Sequence, residues 1–393
     1  MPAVSELTDR WTATTAEELR ERGSLKWSAP PKGVIGAWVA EMDFGTAPAV
    51  LDAWAESARR LEFGYPPEAA PRAMAEATAA WYAEHYGWHL DPKQVAPLPD
   101  VIAGLQVALT EFTAPGTPVI VPTPAYMPFL SVPPSLGHAV IEVPLLRGAD
   151  GGFRLDLPAI DAELAAGAGM VILANPANPT GTVYPRAELV ALAEIADRHG
   201  ARVFSDEIHA PLTLFGNRHV PLASVSEAAA RVAVTATSAS KAWNLPGLKC
   251  AQIILTNAAD RERWQTIGFM ASHGTSTPGM RANAAAYRGG EAWLAEVTGY
   301  IEENFRVLQR ELAAQLPLAS VAPLMATYLT WIDLSNYPVK GDLGAFLERR
   351  ARVRVNAGTV FGQVAAGHIR LNIATPRPIL VEAVGRIARA LVS

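Results

Sequence analysis

The chain of 393 residues holds a single cysteine, Cys250. No intrachain disulfide can form, and metal sites built on cysteine clusters are excluded. Its eight histidines show no HExxH or similar ligand spacing, which argues against a structural or catalytic metal. Charge is scarce too: 18% of residues are charged, with a formal net charge of −5 and no block of Lys or Arg. The basic footprint of a nucleic-acid binder is therefore missing. No uncharged apolar run reaches the length of a membrane span. The opening "MPAVSELTDRWTATTAEELRERG" is polar and lacks the apolar segment of a secretion signal. The expectation is a cytoplasmic protein without nucleic-acid or membrane partners.

What is present is hydrophobic mass. Half of the residues are hydrophobic, enough for a large domain plus a smaller one. Between about residues 95 and 260, short apolar runs alternate with helical patterns. The candidate strands are 118–123, 138–145, 169–175, 201–207, 231–237 and 250–256. Their nearly continuous apolar character suits a sheet covered on both faces. Leu105, Ala108, Leu109 and Phe112 follow helical spacing behind a candidate cap, Asp100. Leu189, Leu192, Ala193 and Ala196 form another helical face, opened by Pro185 and ended by Gly200. Strand alternating with helix predicts an α/β fold with a mostly parallel sheet. From residue 291 the texture changes. Leu294, Val297, Ile301, Phe305, Leu308 and Leu312 make one long stripe, and mixed short elements follow. The expected division is an N-terminal segment, 1–45, folded back onto a smaller α+β domain, 291–393, with the large domain at 46–290.

In open α/β sheets, ligands bind beyond the carboxyl ends of the strands. Those ends carry Tyr126, then Asn175 and Asn178, then Asp206 and His209, then Ser238 to Lys241. Any one of these alone is equally well a cap or a turn residue. Together they suggest a site. A lysine projecting into a pocket loses hydration, so its pKa falls and its amine becomes nucleophilic enough to form a Schiff base with an aldehyde. The aldehyde cofactor that uses such a lysine is pyridoxal phosphate, which also needs a carboxylate at its pyridine nitrogen and an anion site for its phosphate. Asp206 offers the carboxylate. The run Asp100–Val101–Ile102–Ala103–Gly104 leads into a helix whose N–H groups can hold a phosphate, with Ser238, Ser240 and Lys249 as further donors. Tyr126 can stack on the ring, and Asn178 and His209 can reach its phenolate oxygen.

The stretches "NPANPTG" (175–181), "SDEIH" (205–209) and "SASKAWNLPGLK" (238–249) resemble the motifs of fold-type I pyridoxal-phosphate enzymes. "KWSAP" (26–30), "WVAEMDF" (38–44), "FGYPP" (63–67), "PTPAYMPF" (122–129), "ATYLTWIDL" (326–334) and "GHIRLNIATP" (367–376) are similar to the cystathionine β-lyase group, the MalY/PatB C–S lyases. The resemblance covers nearly the whole chain. It implies a large domain with a seven-stranded sheet, a homodimer with shared active sites, and α,β-elimination from cystathionine or a related S-substituted cysteine. It implies Lys241 as the cofactor's lysine, Asp206 at the pyridine nitrogen, Asn178 and His209 at the phenolate oxygen, and Tyr126 on the ring. Val101, Ile102, Ser238, Ser240 and Lys249 would serve the phosphate, joined by Tyr65 of the neighbouring subunit. Arg370, with Asn178 and the backbone at Ala40, would bind the substrate's α-carboxylate.

Three features depart from the pattern. Lys249 stands where many of these enzymes have arginine, giving a point charge instead of a bidentate fork. Glu41 replaces a frequent aspartate, and the phosphate loop "DVIAGL" has no Ser or Thr at its turn. An aminotransferase shares the chemistry up to the carbanion. His209, where aspartate-type transaminases usually carry Tyr, leans toward the lyase. A regulator that only senses an effector would need a basic N-terminal domain, and too few residues precede "KWSAP" for one.

Overall fold

The computed structural model describes residues 4–337 and 339–392. Its centre is a seven-stranded sheet of β1 (Val95–Leu98), β2 (Val119–Thr123), β3 (Val140–Pro144), β4 (Met170–Ala174), β5 (Arg202–Asp206), β6 (Ala233–Thr237) and β7 (Ala251–Ile254), in the order β1-β7-β6-β5-β4-β2-β3. The run from β6 to β3 is parallel, whereas β7 is antiparallel to both of its neighbours. Every residue of β2, β6 and β7 is buried, as expected for strands covered on both faces.

The expected helices fall where their apolar spacing put them. In α1 (Val101–Glu111), Leu105, Ala108 and Leu109 are buried, and the Asp100 carboxylate accepts the Ala103 N–H at 2.8 Å as a true cap. In α2 (Arg186–Arg198), Leu189, Leu192, Ala193 and Ala196 are fully buried. Gly200, just beyond its end, has φ +63°, the left-handed conformation that glycine adopts without strain. The stripe from Leu294 to Leu312 is the buried face of α3 (Glu291–Gln315). Beyond it, β8 (Ser320–Val321), β9 (Leu329–Asp333), β10 (Asn356–Ala357) and β11 (His368–Asn372) make an antiparallel sheet in the order β8-β9-β11-β10. Between β9 and β10 lies α4 (Leu343–Arg350), and α5 (Arg377–Val392) closes the chain.

The N-terminal segment is tied to the C-terminal part of the chain by a separate two-stranded pairing and by contacts just beyond β11. Ile35 and Gly36 pair in parallel with Val353 and Arg354. Lys26, fully buried, donates to Asp43 Oδ2 at 2.8 Å and to Ala374 O at 3.1 Å, while Trp27 Nε1 donates to Asp43 Oδ1 at 2.8 Å. The ion pair thus joins "KWSAP" to "WVAEMDF" and both to the end of β11. Its burial demands such complete hydrogen bonding, because an unpaired charge here would be strongly destabilising. Among the described residues no helix is long and apolar enough to cross a membrane.

Candidate active site

The carboxyl ends of β2, β4, β5 and β6 open into a cavity of about 320 Å³, with the amino end of α1 on one side and residues from β10 and β11 on the other. A polar group recurs here because each strand stops pairing at this edge, and the turn that follows must present its side chains to the opening. Asp206 ends β5, and Ile208 donates its N–H back to Asp206 Oδ1 at 3.0 Å. Strand alternation sends the adjacent Glu207 to the opposite side. There its buried carboxylate accepts from Ser205 Oγ (3.1 Å), Tyr82 OH (3.2 Å) and Leu222 N (2.9 Å), and lies 3.0 Å from His219 Nε2. This network fixes the turn that carries Asp206.

Lys241 follows β6, and its Nζ donates to Ala40 O at 3.0 Å. Arg370, on β11, is nearly inaccessible to solvent. It donates to Asn178 Oδ1 (3.0 Å), Trp38 O (2.8 Å) and Asn356 Oδ1 (2.8 Å). Three of the five guanidinium N–H bonds are thereby used, and Nε, buried and without a partner, remains for a ligand. Two residues on and on the same face, Asn372 donates to Val39 O and Glu41 O, each at 2.7 Å. Tyr328 donates to Ala40 O at 3.0 Å. The backbone from Trp38 to Glu41 is thus pinned as one wall of the cavity.

Burial shifts the charged groups of the site. The Asp206 carboxyl is pushed up to about 7 by burial, opposed by the Ile208 N–H and by Lys241. Lys241 is lowered to about 8 by burial and then by the charge of Arg370. His209 falls to about 3 through burial and the charges of Lys241 and Arg370, so its ring is neutral at pH 7, and its Nδ1 has no partner. Arg370 drops to about 10 through burial and stays charged. Burial also raises Tyr126, with the Asp206 charge adding to it. A low-pKa amine, a high-pKa carboxyl and a permanent cation therefore face one small volume.

Of the residues singled out from sequence, Ala40, Val101, Ile102, Tyr126, Asn178 and Asp206 line this cavity, as do His209, Ser240, Lys241, Lys249 and Arg370. Ser238 does not. It is buried, and its hydroxyl donates to Cys250 O at 2.7 Å and accepts the Ser240 N–H at 3.0 Å. Tyr65 does not either; it is 88% exposed, with its ring near His273. Lys249 is ion-paired with Asp100, so its charge is shared with the carboxylate that caps α1. The Ala40 carbonyl faces Lys241 and Tyr328, which leaves only its N–H for an anion. Sequence reasoning missed Trp38, Tyr328 and Asn356. Asn372 had a readable signal, since it shares the face of Arg370 at strand spacing.

Residues 34–387 match the family described as aminotransferase class I and II. The chain belongs to that family. It is 38% identical over 375 residues to a cystathionine β-lyase of Corynebacterium glutamicum, covering 95% of this chain and 98% of the relative. It is 32% identical to the cystathionine β-lyase PatB of Bacillus subtilis over 383 residues, covering 95% and 98%. The pyridoxal-phosphate-bound C–S lyase of Staphylococcus hominis superposes with a TM-score of 0.87 at 29% identity, covering 95% of this chain and 97% of that one. The fold is accordingly fold-type I, the architecture expected from the sequence.

Proposed function

We propose that this protein is a pyridoxal-phosphate-dependent carbon–sulfur β-lyase that splits L-cystathionine or a related S-substituted cysteine into pyruvate, ammonia and a thiol. The observation that carries the reading is the convergence of Lys241, Asp206 and Arg370 on one cavity, in a chain whose relatives bear that name. The residues present fit the cofactor. The N–H groups of Val101 and Ile102 open a capped helix, with Ser240 and Lys249 beside them for a phosphate. Asp206 would take the pyridine nitrogen, whose positive charge would restore the carboxylate that burial now disfavours. The unpartnered His209 Nδ1 and Asn178 would serve the phenolate oxygen, Tyr126 the ring face and Lys241 the aldehyde carbon.

When bound, the cofactor supplies an electron sink beside the substrate's Cα. The chain's own residues do the rest. Arg370, held by Asn178, Asn356 and the Trp38 carbonyl, orients the α-carboxylate. Lys241 Nζ, whose pKa burial and Arg370 bring down to about 8, removes the Cα proton as general base in its neutral form. The electron pair released at Cα expels the thiolate from Cβ, and water completes the conversion to pyruvate and ammonia.

The purified protein should release pyruvate, ammonia and free thiol from L-cystathionine with no 2-oxo acid added. Turnover that appears only with a 2-oxo acid acceptor would replace this reading with an aminotransferase.

The domain division at residues 45 and 290 and a homodimer with shared active sites belong to the same proposal. Trp54, Leu61, Phe63, Tyr65, Phe269 and Met270 are exposed apolar side chains, 48–88% accessible in the single chain. A patch of that kind marks an interface. Tyr65 would reach the partner's phosphate site. Mixing Lys241→Ala with Tyr65→Ala chains after mild unfolding should then restore sites that combine a native Lys241 with a native partner Tyr65. Cofactor affinity that stays at the Tyr65→Ala level in the mixture would show that Tyr65 does not act across subunits.

A further inference from the structure

Five arginines line a second, open cavity of about 440 Å³ between the end of α4 and α5. Arg349 and Arg350 come from the last turn of α4, Arg352 from just beyond it, and Arg386 and Arg389 from α5. No acidic side chain lines this cavity, although the chain as a whole carries −5. Of the nearby carboxylates, one pairs with an arginine outside the cluster and one with a single member of it. Glu348 holds Arg354 at 2.6 and 2.8 Å, and Glu382 holds Arg386 alone. The side chains of Arg349, Arg350 and Arg389 have no ion pair or hydrogen bond among the described residues.

Helix polarity accounts for part of this arrangement, because cations are favoured at the end of α4. It does not account for the arginines that α5 aims at the same volume. Nor does it account for Arg352, which takes φ +59°, a left-handed position that glycine would occupy without strain. The side chain held in that position donates to Lys32 O, and Arg386 donates to Gly33 O at 2.9 Å. Four of these guanidinium groups have no carboxylate partner, and an anion among them would relieve their mutual repulsion. Their planar forks match the oxygens of phosphate in pairs.

We propose that this concavity binds a small polyphosphate, a di- or triphosphate that is either inorganic or borne by a nucleotide. The bound anion would brace a segment of consequence. Arg352 O accepts the Ile35 N–H at 2.9 Å, and the strand Ile35–Gly36 runs within two residues to Trp38, where the active-site wall begins.

The test is calorimetric titration of the cofactor-saturated protein with phosphate, pyrophosphate, tripolyphosphate and metal-free ATP at physiological salt. The expected result is one saturable site per chain below about 1 mM for tripolyphosphate, weaker for pyrophosphate and weakest for phosphate. Visible cofactor absorbance should be unchanged throughout. ATP binding tighter than tripolyphosphate identifies a nucleotide, and equal binding an inorganic chain. The double variant Arg350→Glu, Arg389→Glu should weaken binding at least about tenfold. Arg350→Gln, Arg389→Gln serves as a milder form if that one misfolds. Absence of saturable binding, binding unchanged in both double variants, or titration that bleaches the cofactor would each overturn the proposal.

Discussion

Lys241→Ala is expected to abolish lyase turnover, with kcat/KM falling at least about 10³-fold, because general-base assistance alone contributes 10²- to 10⁴-fold and the covalent hold on the cofactor goes with it. Borohydride reduction followed by peptide mass analysis should label Lys241 in the native protein and no residue in the variant; a variant still labelled would mean the wrong lysine was chosen. Lys241→Arg should be equally inactive, since a guanidinium keeps the charge and cannot act as a neutral amine. Neither loss would come from unfolding. Ala40 O keeps its hydrogen bond from Tyr328 when the lysine is gone, so no buried acceptor is orphaned. The pH dependence separates the two effects. Lys241 titrates near 8 in the folded chain against an ordinary 10.5, so between those values the unfolded chain binds more protons. The cofactor-free protein should therefore gain stability as pH rises through that window, and Lys241→Ala should lose that slope.

The legibility of this fold followed burial. Strands β2 to β7 read clearly because both faces are covered and the runs are almost wholly apolar. The seventh strand, β1, was not read. It has four residues, one of them Pro97, and lies at the sheet edge, where proline is tolerated and the apolar signal is weak. In the site, side chains that project from strand ends were visible as departures from the apolar pattern, as with Asp206 and Arg370. The pinning of the wall from Trp38 to Glu41 was not visible, because it uses backbone carbonyls met by Tyr328, Arg370 and Asn372 from distant parts of the chain. Ser238 shows the converse limit. A hydroxyl at a strand end reads as a ligand donor, but the sequence did not show that it also donates to a carbonyl 2.7 Å away.

Asp206→Asn should move activity and stability in opposite directions. The carboxylate would keep the cofactor's ring nitrogen protonated. An amide cannot, and the electrostatic preorganisation lost is worth on the order of 10³-fold in kcat. In the cofactor-free protein the same carboxyl is a liability. Burial holds its pKa at about 7, so its contribution to stability is fully present only below the ordinary carboxylate range and is lost as pH rises through 7. By pH 8 that amounts to roughly 2–4 kcal/mol. Asparagine carries no charge to bury, and its carbonyl can still accept the Ile208 N–H. Urea unfolding of the cofactor-free forms should thus find the variant more stable than the native chain at pH 8 and the two alike at pH 4. Equal stability at pH 8 would mean that the site solvates Asp206 well enough to need no cationic partner. Loading the cofactor should reverse the order at pH 8, since the native carboxylate then has a pyridinium to face and the amide does not.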